Sequence, residues 1–332
     1  MKHLHLVAIN TYLPEKILYN DEFPGIGINN QAMFKGSSQR RHVRLHESAE
    51  EMFSIAAQKL AEENVIDLSK DIDCILTNVS LPDMPFTGCG AGVAKQLKAH
   101  PRLVFDLHSG GCVSFISMMD LARGLLNTHN VKNILICTAQ TAAGRIFSQE
   151  ETKKRPQAPI PGDGASVALF SDAGLYRISH TLVKCHPEYS ADMSVIFDDG
   201  HQWWEPSLCP GYINFDEKKI AQIIMRGNSL VPDVMNELLK TAGVKNADID
   251  ALVTNQPNPI FLRNWREAME IPKEKHFDTF ETLGNLFQAG IPINLEKALH
   301  SKTLAAGNKI LLGGFSHAGD YSAAALLEAG HI

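Results

Sequence analysis

The chain has 332 residues, of which 44% are hydrophobic and 20% are charged, and its formal net charge is −6. This balance is typical of a globular protein with one large or two medium cores. The charge lacks the basic excess of a nucleic-acid-binding protein, and no apolar run reaches the length of a membrane span. We therefore expect neither a nucleic-acid nor a membrane partner.

The cysteines are spread along the chain, at Cys74, Cys89, Cys112, Cys137, Cys185 and Cys209. They form no CxxC pair, which favours reduced thiols over a disulfide framework or a zinc site. Residues 1–14 resemble a short strand and not a signal peptide. We therefore expect a cytoplasmic protein without a bound metal.

Predicted strands alternate with predicted helices along the chain. In the first half, strands are predicted at 4–9, 72–78, 103–105 and 132–138, and helices at 49–64, 86–97 and 112–126. In the second half, helices are predicted at 225–242, 264–269 and 285–299, and strands at 249–254, 309–314 and 322–328. This alternation predicts an α/β fold with mostly parallel sheets. The halves repeat one theme, in which 285–299 corresponds to 112–126, and this suggests an internal duplication.

A basic cluster follows the loop-rich residues 21–36, with the sequence Gln39-Arg40-Arg41-His42-Val43-Arg44. It has two interpretations. One is a solvated turn, and the other is a patch for a phosphate or an acidic carrier protein.

Cys112 lies where a short apolar strand turns into an apolar helix. The N-terminus of a helix carries free N–H groups and about half a positive charge. That position lowers the pKa of a thiol and supplies donors for an oxyanion. The small residues Ser109, Gly110 and Gly111 leave room for a substrate. The pattern indicates a nucleophilic cysteine, and the alternative is a buried structural cysteine.

An ordered set of motifs resembles the β-ketoacyl-acyl-carrier-protein synthase III group of the thiolase superfamily. The matching segments are Tyr12-Leu13-Pro14-Glu15, Arg40-Arg41-His42, 106–115, Gly162-Asp163-Gly164-Ala165, Met225-Arg226-Gly227-Asn228, 252–258 and Gly284-Asn285. The resemblance covers nearly the whole chain. It implies a thiolase-like five-layer αβαβα sandwich built from two duplicated βαβαβαββ halves, here 1–172 and 173–332. It also implies a homodimer.

The resemblance implies a ping-pong reaction through a covalent acyl-cysteine. Cys112, in the first half, would take an acyl group from acyl-CoA or from an acyl carrier protein. The acyl group would then pass to a second substrate, usually the carbanion of decarboxylated malonyl carrier protein. No cofactor beyond the thioester substrates is implied.

The family's catalytic set maps onto the second half with one replacement. Its asparagine corresponds to Asn285, and its histidine, in a Val-x-His-Gln-x-Asn pattern, is replaced by Asn255. Both amides are able to donate hydrogen bonds to a thioester oxygen. Asn255 cannot accept a proton from Cys112, and the loss of a general base typically costs about 10²–10⁴-fold.

A second departure offers a compensation. In the loop Gly313-Gly314-Phe315-Ser316-His317-Ala318-Gly319-Asp320-Tyr321, His317 stands where the family has a glycine. The resemblance then brings the His317 imidazole close to Cys112, with Asp320 to orient it and Ser316 beside it. The alternative is that His317 packs in a turn and points away. His108, four residues before Cys112, is a second candidate for support, and its alternative role is structural.

The expected substrate contacts also depart from the family. The early loop that ends at Lys35 has no tryptophan, and the position of the family's adenine-binding arginine is apolar, although Arg263 follows. Phe86 corresponds to a residue that reaches the acyl pocket of the partner subunit. Trp203 and Trp204 either line an acyl tunnel or pack on the surface.

Three functions are compatible with these residues. The first is a condensing enzyme of fatty-acid or specialised, polyketide-like metabolism. The second is an acyltransferase of the same fold that forms an ester or amide without decarboxylation, and it would use His317 as a base. The third is a non-catalytic partner subunit of a related ketosynthase, which the retained Cys112 argues against. We favour the first; release of carbon dioxide separates it from the second, and acylation of Cys112 separates both from the third.

Overall fold

Ten strands form one continuous sheet that runs through both halves of the chain. The computed structural model describes residues 2–24, 36–128, 130–215, 217–301 and 303–330, so the predicted site residue Lys35 lies outside the described part. The sheet strands of the first half are β1 (His5–Tyr12), β4 (Cys74–Val79), β5 (Leu103–Asp106), β6 (Ile134–Gln140) and β7 (Gly164–Ser171). Those of the second half are β8 (Tyr176–Cys185), β11 (Ala251–Thr254), β12 (His276–Phe277), β13 (Lys309–Ser316) and β14 (Tyr321–Ala329).

The strand order shows the internal duplication. Across the sheet the order is β12-β11-β13-β14-β8-β1-β7-β6-β4-β5. Each half therefore has the same arrangement, in which its first strand lies at the centre of the sheet and its third strand at the outer edge. The halves join where β1 pairs with β8 in antiparallel register, His5 opposite Arg177. The division predicted at residues 172 and 173 falls in the connection between β7 and β8 and stays a prediction.

The helices complete five layers around the two halves of the sheet. They are α1 (Ala49–Asn64), α2 (Leu68–Asp71), α3 (Gly90–Gln96), α4 (Ser114–Thr128), α5 (Ala142–Arg145), α6 (Glu150–Lys153), α7 (Ile220–Ala242), α8 (Pro259–Ala268), α9 (Phe280–Leu283) and α10 (Gly290–His300). Helices α4 and α10 share one apolar core with strands of both halves. Helices α1 and α3 cover the outer face of the first half, and α7 and α8 cover that of the second. This is the predicted five-layer αβαβα sandwich.

A 3-10 turn precedes each of the buried helices α4 and α10, and α10 begins later than the start predicted at Asn285. Gly110 and Gly111 have φ values of 90° and 42°, a region that favours glycine, and a 3-10 turn over Gly111–Val113 precedes α4. A 3-10 turn over Phe287–Ala289 likewise precedes α10. Cys112 and Asn285 therefore lie in the turns that lead into the two central helices, and not inside the helices.

Two short hairpins lie outside the large sheet. One pairs β2 (Ile17–Tyr19) with β3 (Gln39–Arg41), and the other pairs β9 (Met193–Ile196) with β10 (Tyr212–Phe215). Within the described residues, no helix has the length and apolar character that crossing a membrane requires.

Two members of the basic cluster at 39–44 are interior residues, whereas Arg44 is exposed. Arg40 and His42 are fully buried, and the Arg40 guanidinium lies over the Phe23 ring and donates to the Ser37 carbonyl. Burial lowers the pKa of His42 to about 3, so this imidazole is neutral. Both predictions, a solvated turn and a phosphate-binding patch, are therefore wrong for Arg40 and His42, because these two side chains are packed in the protein interior.

Candidate active site

Cys112 opens onto a cavity of about 260 Å³ between the two halves. The cavity also contains the predicted site residues His108, Asn255, Asn285 and His317. Most of its remaining lining is apolar, including Phe147, Ile160, Met193, Ile213, Phe215, Phe261, Phe287 and Phe315. Such a cavity, with a few polar groups in an apolar wall, is typical of small-molecule sites.

Hydrogen bonds from both halves of the protein hold the turn that carries Cys112. Asn78, at the end of β4, donates to the carbonyl of Leu107 at 2.9 Å and to that of Ser109 at 3.3 Å. Ser316, at the end of β13, donates to the carbonyl of Gly110 at 2.8 Å. Ser316 therefore helps to position the turn that carries Cys112 from strand β13. Sequence analysis missed Asn78, whose only signal was a polar residue near the end of a buried strand.

The environment of Cys112 disfavours its thiolate. Burial raises the pKa of the thiol to about 12, and the Asp320 carboxylate adds to the rise. Hydrogen bonds from the Asn255 side chain and from the backbone N–H groups of Cys112 and His317 act in the opposite direction but do not cancel it. The prediction that the helix N-terminus lowers the pKa of Cys112 is therefore wrong, because desolvation of the thiolate outweighs the effect of the helix. A base is needed to form the nucleophile.

This raised pKa makes alkylation of Cys112 strongly pH-dependent. We expect iodoacetamide to label Cys112 slowly at about pH 8 and progressively faster toward about pH 10, because thiolate accumulates only as the pH approaches the thiol's pKa. The exposed Cys185 in the same sample serves as the internal control. Peptide mass spectrometry gives both rates. Rapid labelling of Cys112 at about pH 7 would contradict a raised pKa.

Asn255 is joined to strand β13 by its side-chain amide. Its Nδ2 donates to the Phe315 carbonyl at 2.9 Å, and its Oδ1 accepts from the Phe315 N–H at 3.3 Å. A Cβ atom on Gly314 would lie only 2.5 Å from Oδ1, so glycine is needed there. The Asn255 amide thus holds strand β13 and has one N–H left for the Cys112 sulfur or a substrate.

Removing this amide is expected to destabilise the protein. Asn255→Ala leaves the buried N–H and carbonyl of Phe315 without these partners, which costs about 1–3 kcal/mol. Urea unfolding measures the loss. Asn246→Ala is the matched control, because the amide of the half-buried Asn246 bonds only the exposed Asn236 side chain. Equal stability of the two variants would show that the link to Phe315 contributes nothing.

Asn285 is held by its own backbone and presents an amide to the cavity. Its N–H donates to the Ile160 carbonyl at 2.8 Å, and its carbonyl accepts from the Gly162 N–H at 3.0 Å. Its Oδ1 accepts from the Phe287 N–H at 3.1 Å. Within the described part of the chain, no recorded hydrogen bond uses the Asn285 Nδ2, so this amide is available for a substrate oxygen.

His317 and Asp320 form a carboxylate–imidazole pair beside the cysteine turn. His317 Nδ1 lies 2.9 Å and 3.0 Å from the two Asp320 oxygens. The other ring nitrogen, Nε2, faces Gly111, since a Cβ atom there would lie 2.8 Å from it. His317 also has a φ of 49°, which non-glycine residues rarely adopt. The ring lines the cavity that contains Cys112, so the arrangement in which His317 points away is not observed.

The other predicted site residues differ in whether they line the Cys112 cavity. His108 is exposed but lines the cavity. Trp203 lines a neighbouring cavity, whereas Trp204, its T-shaped partner, belongs to neither lining. Phe86 is 93% exposed and also lines neither. Arg263 is exposed and lies 4.0 Å from Glu267, away from both cavities.

The fold and this site define a class of protein. A duplicated αβαβα sandwich with a cysteine at the entry to its central helix is the thiolase arrangement. Family models for 3-oxoacyl-[acyl-carrier-protein] synthase III match residues 105–186, and the model for the C-terminal part of the same protein matches residues 239–329. The chain belongs to the 3-oxoacyl-[acyl-carrier-protein] synthase III family.

Individual relatives match over nearly the full length. The β-ketoacyl-[acyl-carrier-protein] synthase III of Clostridium perfringens is 25% identical over 331 residues, covering 95% of this chain and 96% of the relative. The crystal structure of 3-oxoacyl-[acyl-carrier-protein] synthase III from Aquifex aeolicus has a TM-score of 0.82 at 22% identity, with 98% and 99% of the two chains covered. The priming β-ketosynthase of the R1128 polyketide pathway has a TM-score of 0.83 at 19% identity, covering 99% of this chain and 97% of the other.

Proposed function

We propose that this protein is a condensing enzyme of the β-ketoacyl synthase III type, an acyl-group transferase that works through acyl-Cys112. One observation carries the proposal: Cys112, the free amide of Asn285 and the His317–Asp320 pair meet in one largely apolar cavity. The family relationship supports the same chemistry.

In the first half-reaction His317 acts as the base. Because the Cys112 pKa is raised and Asn255 cannot take a proton, the imidazole removes the thiol proton while Asp320 holds its other nitrogen. The sulfur attacks the carbonyl carbon of the acyl thioester. Backbone N–H groups of Cys112 and His317 face the sulfur and are placed to stabilise the resulting oxyanion. The donor's carbon–sulfur bond breaks, and the departing thiolate takes the proton from His317.

In the second half-reaction the asparagines act on a malonyl thioester. The Asn285 Nδ2, with the remaining Asn255 N–H, donates to the thioester oxygen as carbon dioxide leaves and an enolate forms. The enolate carbon attacks the acyl-Cys112 carbonyl. A carbon–carbon bond forms, the bond from that carbonyl carbon to the Cys112 sulfur breaks, and the thiolate takes up a proton from solvent through His317.

The substrates follow from this chemistry. We propose acyl-CoA or an acyl carrier protein thioester as the donor, in fatty-acid or polyketide-like metabolism in the cytoplasm. The relatives are named for an acyl carrier protein, which supports such a partner here. The reaction as drawn needs no resident cofactor, because the cysteine sulfur and the two thioesters supply every reacting atom.

A second copy of the chain is the proposed partner at the outer edge of the first half. Strand β5 ends the sheet there, and Val104 and Phe105 on it are exposed. Met84 and Phe86 are exposed in the segment that leads to α3, which packs against β5. An unpaired edge with apolar side chains invites pairing with an identical edge.

Sedimentation tests this dimer. We expect the mass of a dimer for the wild type and of a monomer for Phe105→Asp, because the substitution places a charge in the apolar contact. Leu208→Asp, on a fully exposed residue of the other half, is the control. A monomeric wild type would contradict the homodimer.

The release of carbon dioxide distinguishes the proposed condensation from simple acyl transfer. The enzyme is incubated with an acyl donor and a malonyl thioester labelled at its free carboxyl, and labelled carbon dioxide and product mass are recorded. We expect one labelled carbon dioxide for each β-ketoacyl product. Acyl transfer to an alcohol or amine, with the label retained, would support the non-decarboxylating acyltransferase and overturn the proposal.

A further inference from the structure

Arg226, on α7, joins two other segments of the chain from outside the lining of the Cys112 cavity. Its guanidinium lies over the Tyr189 ring, with Cζ 3.4 Å from the ring centroid. Its Nη1 donates to the Asp192 carboxylate at 2.9 Å and to the Ala318 carbonyl at 2.6 Å. The side chains of Arg226 and Asp192 are only 11% and 3% exposed. Charged donors that are shielded from water in this way make stronger hydrogen bonds than neutral ones.

The Ala318 carbonyl belongs to the turn that carries the proposed base, residues 316–320, which we call the histidine turn. His317 and Gly319, on either side of Ala318, have φ values of 49° and 112°. Residues other than glycine rarely adopt this region, and a strained backbone persists only where its surroundings hold it. The hydrogen bond from Arg226 to the Ala318 carbonyl acts between these two residues, at the point where the backbone needs support.

Backbone hydrogen bonds hold the two ends of the histidine turn, and Arg226 holds its middle. The Gly319 N–H donates to the Ser316 carbonyl at 2.8 Å, and the Asp320 carbonyl accepts from the His186 N–H at 2.6 Å. A Cβ atom on Gly319 would lie 2.5 Å from the Arg226 Cδ, so the arginine packs directly against the turn. Removing the Arg226 side chain therefore frees the middle of the turn while its ends stay attached.

Asp192 extends this connection to the wall of the Cys112 cavity. The next residue, Met193, begins strand β9 and lines the cavity. Asp192 also accepts a hydrogen bond from the Lys219 Nζ at 2.6 Å, so its carboxylate has two cationic partners. Arg226 thus links the cavity wall to the histidine turn. Because Arg226 does not itself line the cavity, it acts on the reacting atoms only through the residues that it holds.

We propose that Arg226 is a positioning residue for the reaction, which holds the His317 imidazole at Cys112 through the Ala318 carbonyl. This inference rests on the proposed function, since it requires His317 to remove the Cys112 proton. A displacement of about 1 Å in a reacting group costs on the order of 100-fold in rate. The loss of Arg226 therefore slows proton removal, and it leaves the binding of the acyl donor nearly unchanged.

Substitution of Arg226 by alanine tests the proposal. The acylation rate of Cys112 is measured by intact mass across concentrations of the acyl-CoA that loads the wild type fastest, from a panel between acetyl and dodecanoyl. In Arg226→Ala we expect the maximal rate to fall about 10–100-fold, with the half-saturating donor concentration nearly unchanged. Arg155→Ala is the matched control and is expected to keep the wild-type rate. Arg155 also bonds an aspartate, Asp198 at 2.8 Å, and lies 3.9 Å from the centroid of a tyrosine ring, Tyr212.

A double-mutant cycle shows whether Arg226 acts through His317. The variant with both Arg226→Ala and His317→Ala is expected to be no slower than His317→Ala alone, because the imidazole that Arg226 positions is already gone. The deficit of Arg226→Ala should also shrink from about pH 7 to about pH 10, since hydroxide then replaces the displaced base. Losses that multiply in the double variant, or a deficit that is equal at every pH, would assign Arg226 to general packing and overturn the proposal.

The remaining outcomes separate this inference from the function beneath it. No adduct on the wild type with any donor would overturn the acyl-cysteine function itself. An adduct that forms at the wild-type rate on Arg226→Ala would leave that function intact and overturn the positioning role. Arg226→Lys, which keeps a cation for Asp192 and a donor for Ala318, is expected to lose less rate than Arg226→Ala. If Arg226→Ala does not fold, Arg226→Lys replaces it in the cycle, and a wild-type rate with no pH-dependent deficit would overturn the proposal.

Discussion

Replacing Cys112 with alanine is expected to abolish both the acyl adduct and turnover, a loss of at least about 10⁴-fold. The alanine side chain has no nucleophile, and among the described residues no other cysteine lines the same cavity. Intact-protein mass spectrometry after exposure to an acyl thioester measures the adduct, and a continuous assay of free thiol measures turnover.

Cys185→Ala is the control for this substitution, because Cys185 is an exposed cysteine on β8. It is expected to keep the adduct at wild-type extent. An adduct that still forms on Cys112→Ala would mean that another residue is the nucleophile. Neither half-reaction would then proceed through acyl-Cys112.

Replacing His317 with alanine is expected to slow acylation of Cys112 by about 10²–10⁴-fold near neutral pH. The reason is the raised thiol pKa: the substitution removes the imidazole, held by Asp320, that takes the proton from Cys112. The deficit should shrink as the pH rises, since hydroxide then generates the thiolate directly. Rates of adduct formation measured from about pH 7 to about pH 10 test both statements.

Two further measurements distinguish a base from a structural residue. Added imidazole should restore part of the His317→Ala rate, because a small base fits the space that the ring leaves. His100→Ala, on an exposed histidine outside the lining of the Cys112 cavity, should behave as wild type. A loss in His317→Ala that neither pH nor imidazole relieves, together with lower thermal stability, would assign His317 to folding alone.

The pairing of His317 with Asp320 was predictable from sequence because the information for it is local. His317 and Asp320 lie three residues apart in one turn, so their pairing follows from spacing once the loop is aligned. The same holds for Cys112, where glycines that tolerate positive φ lie between a strand and an apolar helix. Both patterns can be recognised from residues that are close together in the sequence.

What sequence analysis missed depends on contacts across the fold. The Cys112 pKa is set by burial between the two halves, which outweighs the local helix terminus. The pairing of Asn255 with Phe315 joins neighbouring strands that are far apart in the chain. Strand β8 escaped detection because most of its residues are half-buried and it has no apolar run.

One measurement tests the central claim most directly: the discharge of isolated acyl-Cys112 by a malonyl thioester. The wild-type enzyme is loaded with an acyl donor, freed of excess donor, and mixed with carboxyl-labelled malonyl thioester. The adduct mass and the labelled carbon dioxide are then followed together. We expect the adduct to disappear as one carbon dioxide and one β-ketoacyl thioester form for each acyl group. An adduct that persists, or that disappears without release of carbon dioxide, would contradict the condensing function.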